Sequence, residues 1–272
     1  MVNVSTSDVL NEERIRRVVE EEQEHVLLWN QLFRTITMPD IPTDTLQVPV
    51  DMGEMGMPDR VGEASEFPRD EEETDKIPMT VKKYGGEVSI SWESEMFSVF
   101  DIVAQQVEKQ SRRMAELINE KAYNEVADNL HPNSPVSGGG SFNFDAVIDA
   151  RENILDEKYS PQVLIVNTQA ESALLKSSEF QRATDLGDGT IVDGAIGRIA
   201  GLDVLVDNSG LLGTSSPQGI IADPDEYGYE LIKEDVATEE YEDQSRQARI
   251  FQIYTMRTWK AINNEAAIKV TD

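Results

Sequence analysis

The sequence reads as an α+β fold, and three observations carry that reading. A long helical period runs from about Met96 to Asn129. Strict two-residue alternation marks Val88-Ser89-Ile90-Ser91-Trp92. A β-rich run closes the chain from Ala248 to Ile262. Helix and strand patterns alternate in small pieces between the second and third of these, and no internal repeat is found. At 272 residues the chain fits one compact unit or two intimately joined domains.

Taken in order, the first element is an amphipathic helix from Ser7 or Asp8 to about Phe33. Ile15, Val18, Val19, Val26, Trp29, Leu32 and Phe33 form its apolar stripe, which needs either the chain's own core or a neighbour to cover it. Pro39 and Pro42 end it, since proline lacks the donor a helix needs. Leu46, Val48 and Val50 alternate around Pro49, which suits an edge strand. The stretch from Asp51 to Asp75 is polar, acidic and rich in Gly and Pro, and Met79 and Val81 then resume an extended pattern. A core-less loop of that length between extended flanks reads as a long projecting hairpin, which needs a partner to receive it.

Val88 to Trp92 is a half-buried strand, with a bulge or bend expected at Gly85-Gly86. The long helix follows, with Phe100, Val103, Ala104, Val107, Met114, Leu117, Ile118 and Val126 on one face, and spans roughly 45 Å. His131-Pro132 through Gly140 breaks it. Phe144 to Lys158 is a second amphipathic helix, Val163 to Val166 a buried strand, and Asn167 or Thr168 the cap of a helix reaching about Lys176. After a Gly- and Asp-rich loop from Asp185 to Gly194, Leu202 to Val206 and Gly219 to Ala222 read as strands.

Composition narrows the function. The chain carries 52 acidic and 24 basic residues, a net charge of −28, which repels nucleic acid and anionic membranes. Ten lysines against fourteen arginines, abundant carboxylates and a hydrophobic content of only 39% fit a protein of very salty surroundings. There the Debye length falls to about 3 Å near 1 M salt, and such charge is tolerable. Without cysteine, thiolate metal sites and thiol nucleophiles are excluded. The first ten residues lack the features of a signal peptide, and no apolar run approaches a membrane span, so a soluble protein made inside the cell is expected.

A set of short motifs stands in order along the chain. They begin at Arg60-Val61-Gly62-Glu63 and continue through Ala64-Ser65-Glu66-Phe67-Pro68. Val81-Lys82-Lys83-Tyr84, Val88-Ser89-Ile90-Ser91 and Glu93-Ser94-Glu95-Met96 then lead into the long helix. Pro161 to Asn167, Gly197-Arg198-Ile199-Ala200-Gly201-Leu202-Asp203-Val204, Ile220 to Asp223 and Arg249 to Ile262 complete the set. In order and spacing these motifs resemble the Hong Kong 97-type major capsid proteins of tailed viruses, in which an aromatic often stands in place of Arg60 and the long helix is called the spine. The similarity covers roughly Arg60 to Val270.

The resemblance implies an N-terminal arm over 1–45, an extended hairpin loop over 46–86, and a peripheral domain with spine helix and long strands over 87–137 and 223–272. An axial domain would occupy 138–222. It implies pentamers and hexamers closing into an icosahedral shell, assembled in the host cytoplasm, around double-stranded DNA enclosed without specific binding. Portal and possible scaffold or decoration proteins would be further partners. Subunit-interface candidates are Trp29 and Phe33 on the arm; Arg60, Glu63, Phe67, Arg69, Glu72, Lys76, Lys82 and Lys83 on or beside the hairpin; and Arg112 and Arg113 on the spine. Some relatives cross-link Lys to Asn between subunits, although solvated lysines paired with acids are the plainer reading of Lys76, Lys82 and Lys83. Glu71-Glu72-Glu73 is a solvated face unless it meets a neighbour's Arg112-Arg113.

No catalytic group, cofactor or metal is expected. The only histidines, His25 and His131, sit in no nucleophile–base pattern. Asp185, Asp188 and Asp193 with Gly187 and Gly189 fail the EF-hand spacing. No nucleotide-binding fingerprint is present. Arg14, Arg16 and Arg17 could approach a genome, but Glu12, Glu13 and Glu20 to Glu22 largely cancel them. Two rival readings stay open: an encapsulin-type compartment enclosing a cargo enzyme, and an intracellular enzyme with a mobile acidic lid.

Overall fold

The computed structural model describes residues 27–38, 43–51, 74–97, 102–177, 191–192 and 195–272. Residues 1–26, which hold most of the expected N-terminal helix, and the Asp- and Gly-rich stretch around 185–190 lie outside them. The architecture is mixed helix and sheet, built around two principal sheets.

The first sheet has four strands: β1 (Arg34–Thr37), β4 (Lys82–Ser91), β12 (Gly228–Asp243) and β13 (Ala248–Ala261), in the order β1-β12-β13-β4. β1 runs parallel to β12, and the other pairs are antiparallel. The helix α1 (Trp92–Phe97) follows β4, and the long helix α2 (Ile102–Asp128) lies across the sheet. Val107, Met114, Ile118, Ala122 and Val126 of α2 share a core with Phe251, Ile253, Trp259 and Ala261 of β13. Both sets follow from sequence period: one face of a helix, alternate residues of a strand. Ser111 falls on the buried helix face and satisfies its hydroxyl by donating to the Val107 carbonyl at 2.8 Å.

The second sheet has six strands, with α3 (Phe144–Asp156) and α4 (Thr168–Leu175) on one face. Its strands are β5 (Val136–Ser137), β6 (Val163–Asn167), β9 (Arg198–Ile199), β10 (Leu202–Asp207), β11 (Gln218–Ala222) and β14 (Ala267–Thr271). They stand in the order β5-β14-β11-β6-β10-β9. Leu164, Val166 and Ile221 pack against the two helices, while Ile165, Ile220 and Ala222 enter the core of α2. Burial on both faces explains why Val163 to Val166 is apolar without alternation. Although β14 falls within the 223–272 span, it belongs to this sheet. Two small sheets complete the fold: β2 (Thr45–Asp51) with β3 (Thr74–Thr80), and β7 (Ile191–Val192) with β8 (Ala195–Ile196).

Several elements match expectation. α3 is capped by Asn143, whose Oδ1 accepts the Ala146 N–H at 2.8 Å, and α4 by Asn167, whose Oδ1 accepts the Ala170 N–H at 2.9 Å. Others differ. Where a helix was expected to reach Phe33, the described residues form a single 3-10 turn, Trp29–Leu32, followed by β1. The cause is tertiary: Asn119 Oδ1 accepts both the Leu28 and Trp29 N–H groups at 3.0 Å, and Trp29 stacks edge-on against Tyr123. β4 begins at Lys82, earlier than alternation suggested, and Trp92 opens α1 instead of closing the strand. Pairing of β4 with β13 is continuous through Gly85 and Gly86, so no bulge forms there. These glycines answer to close approach: a Cβ on Gly85 would lie 2.9 Å from Tyr254 Cβ, and one on Gly86 would overlap the Gln110 amide.

Candidate assembly surfaces

The hairpin base is anchored on the four-stranded sheet. β2 and β3 pair from Thr45 opposite Thr80 to Asp51 opposite Thr74. Val48 and Met79, on the inward face of their strands, are buried with Met38 and Leu231. Lys233 Nζ holds Asp44 at 2.7 Å, and the Val81 N–H donates to the Asp44 carbonyl at 2.8 Å. Of the hairpin candidates, Arg60, Glu63, Phe67, Arg69 and Glu72 lie between these strands, outside the described residues. Lys76 is exposed on β3, and Lys82 and Lys83 are exposed on β4.

Lys83 is not simply solvated. Its Nζ lies 4.0 Å from the centre of the Tyr254 ring, a cation–π contact. The Tyr254 hydroxyl stands 3.1 Å from Glu239 and 3.4 Å from Glu234. Desolvation first, then these carboxylates, push the phenol up to about 12. With no side chain at Gly85 or Gly86, a groove of about 240 Å³ opens beside Lys83, Glu87 and Tyr254.

Arg112 and Arg113 are exposed on the outer face of α2. Trp29 and Phe33, candidates for contact with a neighbour, are 0% and 5% exposed within the chain's own core. The described end of the amphipathic stripe is covered by α2 and by Tyr227, against which the Phe33 ring packs at 5.4 Å.

Three features were not foreseen. Met96 and Phe97 on α1 are 78% and 81% exposed, and Trp92 is 39% exposed, making an apolar patch ahead of α2. Adjacent large apolar residues that fit no helical stripe were the available signal. Among the described residues β12 is the longest strand, and its outer half carries Glu234, Asp235, Glu239, Glu240, Glu242 and Asp243. Ile232 pairs with Arg257, and register shifts follow between Ile232 and Ala237. Arg257 is buried, with Nη1 3.0 Å from Glu230, Nη2 2.6 Å from Asp235 and Nε 2.9 Å from Thr255. Burial raises the proton affinity of the Glu230 carboxyl, and Arg257 opposes that rise. Asn30 Nδ2 adds a donor to the same Glu230 oxygen at 3.1 Å, tying the N-terminal turn to β12.

Among the described residues no cluster of three or more His, Asp or Glu could hold a metal, and no helix is long and apolar enough to cross a membrane. His131 is buried in a turn, where its Nδ1 accepts the Asn133 N–H at 3.0 Å. The described geometry is one of an anchored strand pair and charged faces.

A protein family described as phage capsid protein matches residues 73–270, nearly three quarters of the sequence. The chain belongs to that family. Solved structures with the same fold include the mature capsid of bacteriophage PhiM1, at 12% identity and a TM-score of 0.70 over 90% of this chain and 86% of that one. A Mycobacterium phage Che8 structure has 13% identity and a TM-score of 0.71 over 90% of each chain. The holo-SrpI encapsulin of Synechococcus elongatus has 10% identity and a TM-score of 0.63 over 89% of this chain and 85% of that one. No curated protein matches the sequence. As a capsid family member, the protein is a structural one.

Proposed function

We propose that this major capsid protein builds an icosahedral shell as pentamers and hexamers, in a Hong Kong 97-type arrangement, around double-stranded DNA. The observation that carries the reading is the capsid-family match across 73–270, joined to a fold shared with tailed-phage capsids. In this reading 1–45 is an arm, 46–86 a hairpin reaching a neighbour, 87–137 with 223–272 a peripheral domain, and 138–222 an axial domain. Lys76, Lys82, Lys83, Arg112 and Arg113 lie toward neighbouring copies, as do Arg60, Glu63, Phe67, Arg69 and Glu72. Specific contacts of this kind bury roughly 1,600 Å² in total, which an anchored hairpin can supply.

The charge of −28 suits a virus of halophilic archaea, and an acidic wall lets DNA pack without being gripped. Assembly in the host cytoplasm, a portal and scaffold or decoration proteins complete the proposal. A second reading, an encapsulin-type compartment, is favoured by the encapsulin among the structural neighbours. Electron microscopy of the purified protein at about 2–3 M salt, where screening is nearly complete, tests both. Uniform icosahedral shells are expected, and DNA or an enzyme inside virus-derived or native particles separates the two. A monomer at every salt concentration would overturn both.

A further inference from the structure

Among the described residues the four-stranded sheet has two open strand edges. β4 pairs with β13 on one side only, so alternate N–H and C=O groups from Lys82 to Ser91 point outward. β12 is covered by β1 only from Tyr229 to Ile232, and its outer half is the second open edge. An open edge can accept a further strand, and charge decides which strand comes near it.

The two edges differ in charge. From Glu234 to Asp243 β12 carries six carboxylates and no basic residue, so it repels the same edge of another copy. β4 carries Lys82, Lys83 and Glu87, a net +1 on a chain of −28. A second copy is repelled least along β4.

The charges of β4 are also self-complementary. A Cβ on Gly86 would point at Gln110 of α2, so Lys83, Gly85 and Glu87 share the face turned away from that helix. Two copies of β4 set antiparallel, with Gly85 opposite Gly85, bring Lys83 of each opposite Glu87 of the other. Lys82 then faces Val88 and Tyr84 faces Gly86, so no like charges meet. This arrangement has a twofold axis at Gly85, where no side chain stands in the way. Both charges are already restrained: Lys83 Nζ lies 4.0 Å from the Tyr254 ring centre, and Glu87 Oε2 accepts the Tyr241 hydroxyl at 3.2 Å. Restrained side chains lose less entropy when they meet a partner.

We propose that β4 pairs with β4 of a second copy across a twofold axis, joining two four-stranded sheets into one. The inference goes beyond the shell reading by naming one contact and the residues matched in it. Because the chain has no cysteine, introduced thiols report the contact alone. In Lys83→Cys/Glu87→Cys the two thiols of one copy stand about 13 Å apart along the strand, too far to join, whereas those of paired copies face each other at disulfide distance. Copper-catalysed air oxidation of the full-length protein in molar salt should link most chains as dimers on a non-reducing gel, and neither single variant should link. Lys83→Glu sets acid opposite acid and should raise the salt needed to keep copies together in sedimentation by about twofold or more. Lys83→Glu/Glu87→Lys restores opposite charges at the wild-type net charge and should return that threshold. Shells that form without linked dimers, linked ladders longer than two, or a double swap that fails to rescue would overturn the proposal and leave the shell reading intact. Linked dimers from protein that forms no shell would uphold the strand contact and remove that reading.

Discussion

Removing the guanidinium of Arg257 should destabilise the chain more at neutral pH than in acid. Arg257 and Glu230 are 2% and 3% exposed, and their oxygen–nitrogen contact is 3.0 Å. In an Arg257→Ala variant the Glu230 carboxylate keeps the Asn30 amide but loses its charge partner. Leaving one member of a buried pair uncompensated costs about 3–5 kcal/mol. At a few degrees per kcal/mol for a chain of this size, the melting temperature should fall by about 6–20 °C. The pH dependence follows from the direction of the Glu230 shift. A carboxyl whose proton affinity is raised by folding contributes stability that is fully present below its unfolded value and lost as pH rises through the folded one. Without Arg257 that rise is larger, so the deficit should shrink as pH is lowered from 7 toward about 5. Urea unfolding of the unassembled chain at both pH values measures this, since assembly adds its own stabilisation. A deficit below about 1 kcal/mol at neutral pH, or one that grows in acid, would refute the reasoning.

Three further outcomes follow from the geometry. Asn167→Ala removes a helix cap and the donors to Gly213 and Ser216, at a cost of about 2–4 kcal/mol; hydrogen exchange should speed up over 208–218 before it does elsewhere. Gly228→Ala should cost more than Gly86→Ala, about 2 kcal/mol or more against less than about 1, because the first Cβ overlaps the Lys260 carbonyl whereas the second meets the end of the Gln110 side chain, which can swing away; comparison of thermal melts checks the order. Shells should loosen in dilute buffer without divalent cations and recover when molar salt is restored, which light scattering reads directly; intact shells in dilute buffer would count against the screening argument.

Legibility in the sequence tracked how strongly each segment's own pattern was tied to burial. β13 was readable because Phe251, Ile253, Trp259 and Ala261 alternate into one core, and α2 because its stripe repeats at helical spacing. β6 stood out because both of its faces are buried. β12 was not legible: Glu234-Asp235 and Glu239 to Asp243 look like a solvated loop. They are extended because β13 pairs along their length and because Arg249 and Arg257 supply countercharge across the ladder. β1 was missed for a similar reason, since Arg34 to Thr37 is extended only through pairing with Tyr229 to Ile232. The two exposed arginines of α2 were legible as a surface feature. Burial of Trp29 and Phe33 in the chain's own core was not, because an amphipathic stripe carries no record of which surface will cover it.

By itself the sequence determined the local and compositional properties of this protein. These include the long helix α2, the buried strands, the caps at Asn143 and Asn167, the break after Asp128, and a net charge of −28. Such features depend on residues a few positions apart, or on sums over the chain. Tertiary structure alone decided the rest. It paired an acidic strand with β13, buried an Arg–Glu pair between strands, and replaced an expected bulge with two glycines under Gln110 and Tyr254. Each of these joins residues distant in the chain, and their energies come from pairing and desolvation that no local pattern encodes.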